Sequence, residues 1–332
     1  MPELRKDPVV DRWVIIATDR GNRPIEFIEE KEKENNNFSP FTAGNEAMTP
    51  PEIYAIRPTN TARNTPGWTL RIIPNKYPAL KVEGELNRRG EGIFDMMNGI
   101  GAHEVIIETP DPDKNLVDLE NSAIRDVFKA CKERILDLKK DIRLKYAMVF
   151  KNKGFAAGAS LKHSHSQLIA TPIIPKTVLE ELNGSESYYQ LKERCIFCDI
   201  IRQEIKDEVR VVYEEDLFVV VEPFAARFPF ETWVLPKKHF SHYETIDDDH
   251  IFHLAITIKT TIQKINSALQ SPAYNFLIHT APIQEKPMNN YHWHLEFIPR
   301  LTNIAGFEWG SGFYINPTSP EDAARYLKEI SV

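Results

Sequence analysis

Few cysteines and no long apolar run are found in this chain, and each absence excludes a class of protein. The 332 residues include three cysteines, Cys131, Cys195 and Cys198, which are too few for a disulfide framework and indicate a reducing compartment. No apolar run approaches the ~18–20 residues that a membrane-spanning helix needs. Residues 1–12 are polar and mixed in charge, unlike a signal peptide. We therefore expect a cytoplasmic protein without a membrane partner.

A dense block of basic residues is also missing. The 41 lysines and arginines are outnumbered by 48 aspartates and glutamates, and the formal net charge is −7. Proteins that bind duplex nucleic acid usually show a basic face or stripe, so we expect no nucleic-acid partner and only a small nucleotide ligand. With 42% hydrophobic residues, the chain can form a large core in one or two domains.

Apolar residues recur at helical spacing in some segments and cluster as in strands elsewhere. The pattern predicts helices over 118–141 and 247–269, and a last helix that starts at Ser319-Pro320 and ends near Ile330. The predicted loops, the last of them a linker, are residues 30–52, 84–101 and 183–194. The predicted strands are residues 12–17, 69–73, 103–109, 146–150, 165–171, 209–213, 217–222, 231–236, 274–279 and 293–298.

These elements occur twice in the same order. In each half a strand, a helix and a second strand precede a His-x-His pair, and an offset of 129 residues carries His163 onto His292. A repeat of this size predicts two similar α+β halves that arose by duplication.

The first histidine pair lies in the run His163-Ser164-His165-Ser166-Gln167. In a strand alternate residues face one side, so His163, His165 and Gln167 would share a face. A neutral imidazole near pH 7 is a good nucleophile, and its neighbours can fix its tautomer and bind a phosphoryl oxygen. The run therefore offers a nucleophile with polar groups beside it.

Spacing alone favours a metal site and a catalytic site equally, because histidine is also a common metal ligand. A loop of small residues, Gly154, Gly158 and Ser160, precedes the run. Backbone amides in such a loop can approach a phosphate closely. The loop therefore favours phosphate chemistry.

Together with further motifs, these residues make the chain resemble the galactose-1-phosphate uridylyltransferase family of the histidine triad superfamily over nearly its whole length. A lone His-x-His pair would be weak evidence, whereas the set is highly specific. The resemblance implies two tandem histidine-triad-like halves, residues 1–182 and 195–332, each an antiparallel sheet with helices. The further motifs include Leu4-Arg5-Lys6-Asp7-Pro8, Pro74-Asn75-Lys76-Tyr77-Pro78, His103-Glu104-Val105, Asn152-Lys153-Gly154, Pro229-Phe230-Glu231 and Gly306-Phe307-Glu308.

The resemblance also implies a ping-pong reaction between a nucleotide sugar and a sugar 1-phosphate. His165 would attack the α-phosphorus of UDP-glucose, carry the uridylyl group and pass it to galactose 1-phosphate. His163 would assist beside it. The residues that the resemblance assigns to the nucleotide and its phosphates are Arg20, Arg23, Asn75, Asn152, Ser160 and Gln167.

The tail leaves the nucleotide and the acceptor open. In the family, the segment matching Gly306, Phe307 and Glu308 shapes the acceptor region and crosses to a partner subunit, which implies a homodimer. Thr302 stands where uridylyltransferases have a lysine, and the segment is more similar to the ADP-glucose phosphorylase branch. That branch carries AMP on the same histidine and uses inorganic phosphate as acceptor. A third hypothesis is a nucleotide-binding protein without turnover.

In the second half, His294 occupies the position of His165, and Glu296 occupies that of Gln167. A carboxylate that faces a phosphate repels it. We therefore expect one active site per chain and a mainly structural second half.

Cys195 and Cys198 have the two-residue spacing of a zinc knuckle. His239 and His292 complete a tetrahedral set, and the resemblance supports it because some family members bind a structural zinc at these places. We favour zinc at this set, since zinc prefers thiolate and imidazole ligands; iron is the alternative metal. Other members use a carboxylate and three histidines, and the matching residues are Glu181, His279, His292 and His294.

The first half has lost the matching cysteines. Ser39 and Thr42 stand where many members have two thiolates, and hydroxyls are poor zinc ligands. His103 and His163 remain as the other half of the usual site. We predict little or no zinc there, with His163 orienting its neighbour by hydrogen bonds and the strand held by packing alone.

Overall fold

A computed structural model of the chain describes residues 2–22, 38–58 and 60–332. These residues form six α-helices: α1 (Asn121–Leu138), α2 (Lys176–Lys192), α3 (Ile196–Asp207), α4 (Asp248–Leu269), α5 (Gly306–Ser311) and α6 (Pro320–Glu329). The strands are β1 (Glu3–Lys6), β2 (Trp13–Ile16), β3 (Tyr54–Ile56), β4 (Leu70–Pro74), β5 (Arg89–Glu91), β6 (Phe94–Met96), β7 (Ala102–Ile107), β8 (Tyr146–Lys153), β9 (His165–Thr171), β10 (Val211–Glu214), β11 (Phe218–Val221), β12 (Thr232–Pro236), β13 (Tyr274–His279), β14 (His294–Pro299) and β15 (Tyr314–Asn316).

Ten of the strands form one antiparallel sheet in the order β10-β11-β12-β14-β13-β8-β9-β7-β4-β3. From the central pair β8 and β13 outward, the two halves of this sheet have the same strand order. The predicted α+β class is therefore confirmed. The expectation of one sheet per half needs a correction, because β8 pairs with β13 and the two sheets are continuous. This pairing satisfies the backbone groups of what would otherwise be two open sheet edges.

One face of the sheet is covered by α1 and α4, whose apolar stripes meet the strands in a single core. Ile124 and Phe128 of α1 and Ile251 and Ile258 of α4 are fully buried there. The opposite face is covered differently in the two halves. In the second half α3 packs on it through Phe197, whereas in the first half the described residues place a small apolar cluster there. That second face of the first half is the one that bears the nucleophile.

The long periodic elements lie close to their predicted positions, whereas two of the three predicted polar segments do not. Of the predicted loop 30–52, residues 38–52 form turns and one short 3₁₀ helix, Glu46–Met48, as expected for a loop, and residues 30–37 lie outside the described residues. The sequence pattern predicts a linker over residues 183–194, but most of them belong to α2, whose buried side chains include the polar Glu181 and Ser185 and so give no apolar stripe. Residues 84–101, predicted as a loop, contain the β5–β6 hairpin. None of the helices that the described residues form is long and apolar enough to cross a bilayer.

A buried carboxyl group at the end of β11, that of Glu222, makes a pH-dependent contribution to the stability of the folded chain. Glu222 is fully buried, and its Oε2 has no hydrogen-bond partner in the part of the chain that the structure describes. Burial, with the nearby charge of Glu231, raises the pKa of Glu222 well above its ordinary value. The folded state therefore retains a proton that the unfolded chain loses, so the contribution of Glu222 to stability is greatest below the ordinary pKa of glutamate and is lost as pH rises through the raised pKa.

We expect Glu222→Gln to be more stable than the unchanged protein at neutral and alkaline pH, because the amide cannot ionise. The gain in free energy of unfolding should shrink as pH falls toward the ordinary pKa of glutamate. Urea unfolding at several pH values measures it. A gain that did not depend on pH would contradict the assignment of a buried proton to Glu222.

Candidate active site and metal centre

The nucleophile candidate, His165, is the first residue of β9, which pairs with β7 and β8. Its ring Nδ1 lies 2.8 Å from the carbonyl oxygen of His163. A carbonyl oxygen can only accept, so Nδ1 donates and the lone pair of the neutral ring lies on Nε2. Within the described ranges, Nε2 makes no hydrogen bond. Burial is the main cause that lowers the pKa of His165, so the ring is neutral at pH 7 and its lone pair is available.

His163 is held by two hydrogen bonds of its own. Its Nε2 donates to the carbonyl oxygen of Thr109 at 2.7 Å, and its Nδ1 accepts from the hydroxyl of Ser39 at 2.9 Å. Its backbone carbonyl in turn orients His165. The predicted orienting role of His163 therefore has a specific geometry, and Ser39 makes a hydrogen bond at the position where the family resemblance implies a thiolate.

The expectation of a residual first site would place His103 and His163 at a common metal position. In the structure, the ring nitrogens of His103 are bound to other residues. The amide of Ala79 donates to His103 Nδ1 at 3.1 Å, so His103 Nε2 carries the proton and donates to Gln167 Oε1 at 2.8 Å. Asn75 Nδ2 also lies 3.1 Å from this Nε2. Because Oε1 of Gln167 is engaged, its amide hydrogens are directed away from His103 and can bind a phosphoryl oxygen.

Gln167 and His165 lie on the same face of β9, as predicted. Their cross-strand partners on β7 are Val105 and Ile107, which belong to the small apolar cluster of the first half. Phe41, from the same cluster, places its ring 5.5 Å from that of His165. The nucleophile thus has an apolar surround on one side.

The second half of the chain contributes to this site through Asn275. Its side-chain amide donates to Asn152 Oδ1 at 2.8 Å and to the carbonyl oxygen of Ala157 at 2.9 Å. The two bonds orient Asn152 and fix the loop that follows β8. In that loop Gly154 and Gly158 have φ values of 86° and 83°, which side chains with a Cβ rarely adopt.

The remaining predicted ligands of the nucleotide are less fixed. Ser160 is exposed in the loop before β9, and Arg20 is exposed in a short 3₁₀ helix after β2. Arg23 lies outside the described residues. The roles of all three stay predictions.

A buried ion pair that the sequence analysis missed lies beneath the nucleophile's strand. Lys151 Nζ is 2.7 Å from Glu108 Oε2, and both side chains are almost fully buried. The hydroxyls of Ser164 and Ser166 each donate to Glu108. The prediction that packing alone holds this strand is therefore wrong. The charges of Glu108 and Lys151 are far apart in the chain and give no local sequence signal.

The four residues of the favoured metal set converge as predicted. Cys195, Cys198, His239 and His292 each offer a ligand atom, and these atoms lie within 4.8 Å of one another. Cys198 Sγ is 3.3 Å from His239 Nδ1 and 3.5 Å from His292 Nδ1. Bonds of ~2.3 Å to sulfur and ~2.1 Å to nitrogen around a tetrahedral zinc would give roughly 3.6 Å. The spacing fits such an ion.

The outer nitrogen atoms of both histidines are also placed as in metal sites. His239 Nε2 donates to the carbonyl oxygen of Met288, and His292 Nε2 donates to that of Pro236, both at 2.9 Å. These bonds direct the Nδ1 lone pairs toward the cysteines. The hydrogen bond from Cys198 is the largest cause that lowers the pKa of Cys195 to about 3, which favours the thiolate form that a metal ligand needs.

The alternative carboxylate set is separate and has lost one member. Glu181, His279 and His294 form a second buried group, but both ring nitrogens of His292 are engaged with Cys198 and Pro236. His292 therefore belongs to the cysteine set and not to both. Nδ1 of His279 is 2.8 Å from Glu181 Oε1, and the two carboxylates nearby raise the pKa of His279 to about 9 against the effect of its burial.

In the second half, the position equivalent to the nucleophile is closed. His294 has the same tautomer as His165, since its Nδ1 donates to the carbonyl of His292 at 3.2 Å. The rings of Phe197 and Trp233 lie 4.9 and 5.1 Å from its ring. Glu296 is bound by Arg227. The ring of His294 is therefore covered, and one active site per chain stays a prediction.

The predicted acceptor residues form a short exposed helix. Gly306, Phe307 and Glu308 begin α5, where Glu308 accepts a hydrogen bond from the amide of Ala305. Phe307 and Trp309 are exposed, the latter by 76%. The contact of this helix with an acceptor or a partner subunit stays a prediction.

Comparisons with known proteins agree over the whole chain. Models of the N-terminal and C-terminal domains of galactose-1-phosphate uridyl transferase match residues 1–175 and 181–326. The chain is 39% identical to ADP-glucose phosphorylase of Arabidopsis thaliana, over 100% of this chain and 93% of that protein. It is 30% identical to galactose-1-phosphate uridylyltransferase of Thermotoga maritima, over 100% and 99%. A crystal structure of the Arabidopsis phosphorylase with bound ADP-glucose superposes with a TM-score of 0.88 at 38% identity, covering 100% of this chain and 99% of that one.

Proposed function

Because the chain belongs to the galactose-1-phosphate uridyl transferase family, we propose that this nucleotidyltransferase carries a nucleoside monophosphate on Nε2 of His165. The observation that carries the proposal is the tautomer of His165. The carbonyl oxygen of His163 accepts a hydrogen bond from Nδ1 of His165. The lone pair therefore lies on Nε2, which makes no hydrogen bond within the described ranges. A buried, neutral imidazole in this state is a competent nucleophile at neutral pH.

The first step forms a bond from Nε2 to the α-phosphorus of the nucleotide sugar. The bond from that phosphorus to the bridging oxygen breaks, and the sugar 1-phosphate leaves with the electron pair. The ring becomes positively charged, and the His163 carbonyl stabilises this charge through the Nδ1 hydrogen bond. Gln167, oriented by His103, donates to a phosphoryl oxygen. Asn152, oriented by Asn275, contributes on the side of the glycine loop.

In the second step an oxygen of the acceptor attacks the same phosphorus. The phosphorus–nitrogen bond breaks, its electrons return to Nε2, and neutral His165 is restored. Such phosphoryl transfer depends mainly on positioning and on donors to the phosphoryl oxygens. Both steps use the same nucleophile, and of the two equivalent histidines it is His294 that Phe197 and Trp233 cover.

We place the ADP-glucose phosphorylase activity first and the uridylyltransferase second, which reverses the order favoured by the sequence motifs alone. Identity over the whole chain is 39% with the phosphorylase and 30% with the uridylyltransferase of Thermotoga maritima. Thr302 in place of the acceptor-binding lysine supports the same order. The nucleotide sugar would then be ADP-glucose, the acceptor inorganic phosphate, and the products ADP and glucose 1-phosphate.

Mixing the protein with ADP-glucose or UDP-glucose, without acceptor, and measuring its intact mass tests the proposal. We expect a gain of one adenylyl group per chain with ADP-glucose, and its discharge as ADP when inorganic phosphate is added. A uridylyl adduct that galactose 1-phosphate discharges would establish the second candidate instead. Binding of either nucleotide sugar without an adduct would refute catalysis and leave a nucleotide-binding protein.

The proposal extends to the cysteine set and to the assembly. We propose that Cys195, Cys198, His239 and His292 hold a structural zinc, which would supply no chemistry to the reaction and would join α3 to the ends of β12 and β14. The two halves, with their shared strand order, are proposed to be duplicated histidine-triad-like units. We further propose a homodimer in which a partner covers the exposed aromatic side chains of α5.

A further inference from the structure

The ion pair beneath β9 is buried, which is unfavourable for charged groups. The side chains of Lys151 and Glu108 are 2% and 0% exposed, and their charged atoms are 2.7 Å apart. Removing two charges from water costs several kcal/mol per ion, and the attraction between them often does no more than offset this cost. Stability alone therefore gives little reason for the pair, which calls for another role.

Among the described residues, every further hydrogen bond of the two charged groups is made to the residues around the nucleophile. Lys151 Nζ donates to the backbone carbonyl of His165 and to Ser164 Oγ, both at 3.0 Å. The hydroxyls of Ser164 and Ser166 donate to the two oxygens of Glu108, each at 2.5 Å. The backbone amide of Glu108 also donates to the carbonyl of Ser164 at 3.3 Å. The residue before His165, His165 itself and the residue after it are thus all bound to one pair of charges.

The pair lies on the opposite side of the sheet from the reacting ring. Ser166 pairs with Ile106, which belongs to the core beneath α1 and α4, whereas His165 faces the small apolar cluster on the other side. Neither Lys151 nor Glu108 can therefore touch a nucleotide bound at His165. Their effect must pass through the backbone of residues 164–166.

We propose that Lys151 and Glu108 are positioning residues for the nucleophile, and that this buried ion pair holds the backbone of residues 164–166 so that the His165 ring keeps its hydrogen bond to the His163 carbonyl. The inference rests on the proposed function of His165. Ser39 and Thr42 stand where the family resemblance implies two metal-binding cysteines, so a metal cannot hold the backbone at this site. The inference assigns that role to the ion pair. When Nε2 attacks, the ring must already point at the phosphorus, and a small misplacement of reacting atoms costs much of the rate.

The test is the double variant Lys151→Met with Glu108→Gln, because the glutamine avoids leaving a buried charge without its partner. We expect the maximal single-turnover rate of adduct formation to fall roughly 100-fold. The Kd for the nucleotide sugar, measured in a His165→Asn background, should change less than about threefold because no ligand contact is lost.

The matched control is Lys264→Met. Lys264 is also a buried lysine, and its Nζ donates to the carbonyl oxygens of Leu327 and Ile330 at the end of α6. If Lys151 had only a structural role, both variants would lose stability but keep the maximal rate per folded molecule. A double variant with the unaltered maximal rate, or with rate and affinity lowered in proportion, would overturn the proposal.

A second measurement keeps the positioning role separate from the proposed function. Nitrogen-15 histidine spectra report the tautomer of His165, assigned by its absence in His165→Asn. We expect a single Nδ1–H form in the unchanged protein and a mixture of tautomers in the double variant. If the unchanged protein formed no adduct, the proposed function would fail, and the tautomer would still decide the positioning role. An unchanged tautomer in the double variant would refute that role.

Discussion

Replacing His165 with asparagine should lower the rate of nucleotidyl-adduct formation by at least about 10⁴-fold, as expected when a covalent nucleophile is removed. Asparagine can still donate to the His163 carbonyl, so the strand keeps its local hydrogen bond, but it has no nitrogen lone pair to attack phosphorus. Binding of the nucleotide sugar should persist, since the orientation of Gln167 depends on His103. Intact mass and single-turnover kinetics measure the adduct, and calorimetric titration measures binding.

The chain offers a matched control in His294→Asn. His294 occupies the equivalent strand position, and its Nδ1 makes the same bond to a carbonyl two residues earlier. Phe197 and Trp233 cover its ring, so the variant should still form the adduct. An adduct on His165→Asn, or its loss in His294→Asn at normal folded content, would contradict the assignment of the nucleophile.

The periodic elements were predictable because local pattern and final packing agree. β13 occupies residues 274–279 as predicted, and the apolar stripe of 247–269 becomes α4 within one residue at its start. Helix α2 was missed because its buried side chains include a glutamate and a serine. The glutamate, Glu181, is bound to His279 and Tyr291 of the second half. A polar helix of this kind is recognised only from its partners.

The residues of the histidine run could be predicted, but the arrangement of their side chains and protons could not. Repeat and spacing identified His163, His165 and Gln167, but the proton positions depend on partners that are distant in the chain. The Thr109 carbonyl and the Ser39 hydroxyl fix His163, and Ala79 fixes His103. His103 was assigned to a residual metal site because nothing local distinguishes a ligand from a residue that orients an amide.

Removing Cys198, a ligand of the proposed zinc, should strongly destabilise the folded chain. We expect Cys198→Ala to lose its zinc and several kcal/mol of unfolding free energy, a part of the ~10–16 kcal/mol with which structural zinc binds small zinc-finger peptides. The four ligands come from the start of α3, the segment after β12 and the approach to β14, so one ion joins elements far apart in sequence. Without it, a thiolate and two oriented imidazoles are left to satisfy one another.

Cys131→Ala is the control, because Cys131 is more deeply buried than Cys198 and lies on α1 in the apolar core, away from the metal-ligand set. Elemental analysis should give about one zinc per chain in the unchanged protein and in Cys131→Ala, and almost none in Cys198→Ala. Chelators should lower the urea midpoint of the first two proteins and leave the third unaffected.

About two zinc ions per chain would contradict the predicted loss of metal at the first site, since Ser39 already donates its hydroxyl to the nitrogen of His163 that a metal would need. One measurement therefore tests opposite predictions for the two halves. We expect a metal in the second half, where thiolates meet oriented imidazoles. In the first half, where a hydroxyl replaces the thiolate, we expect a hydrogen bond instead.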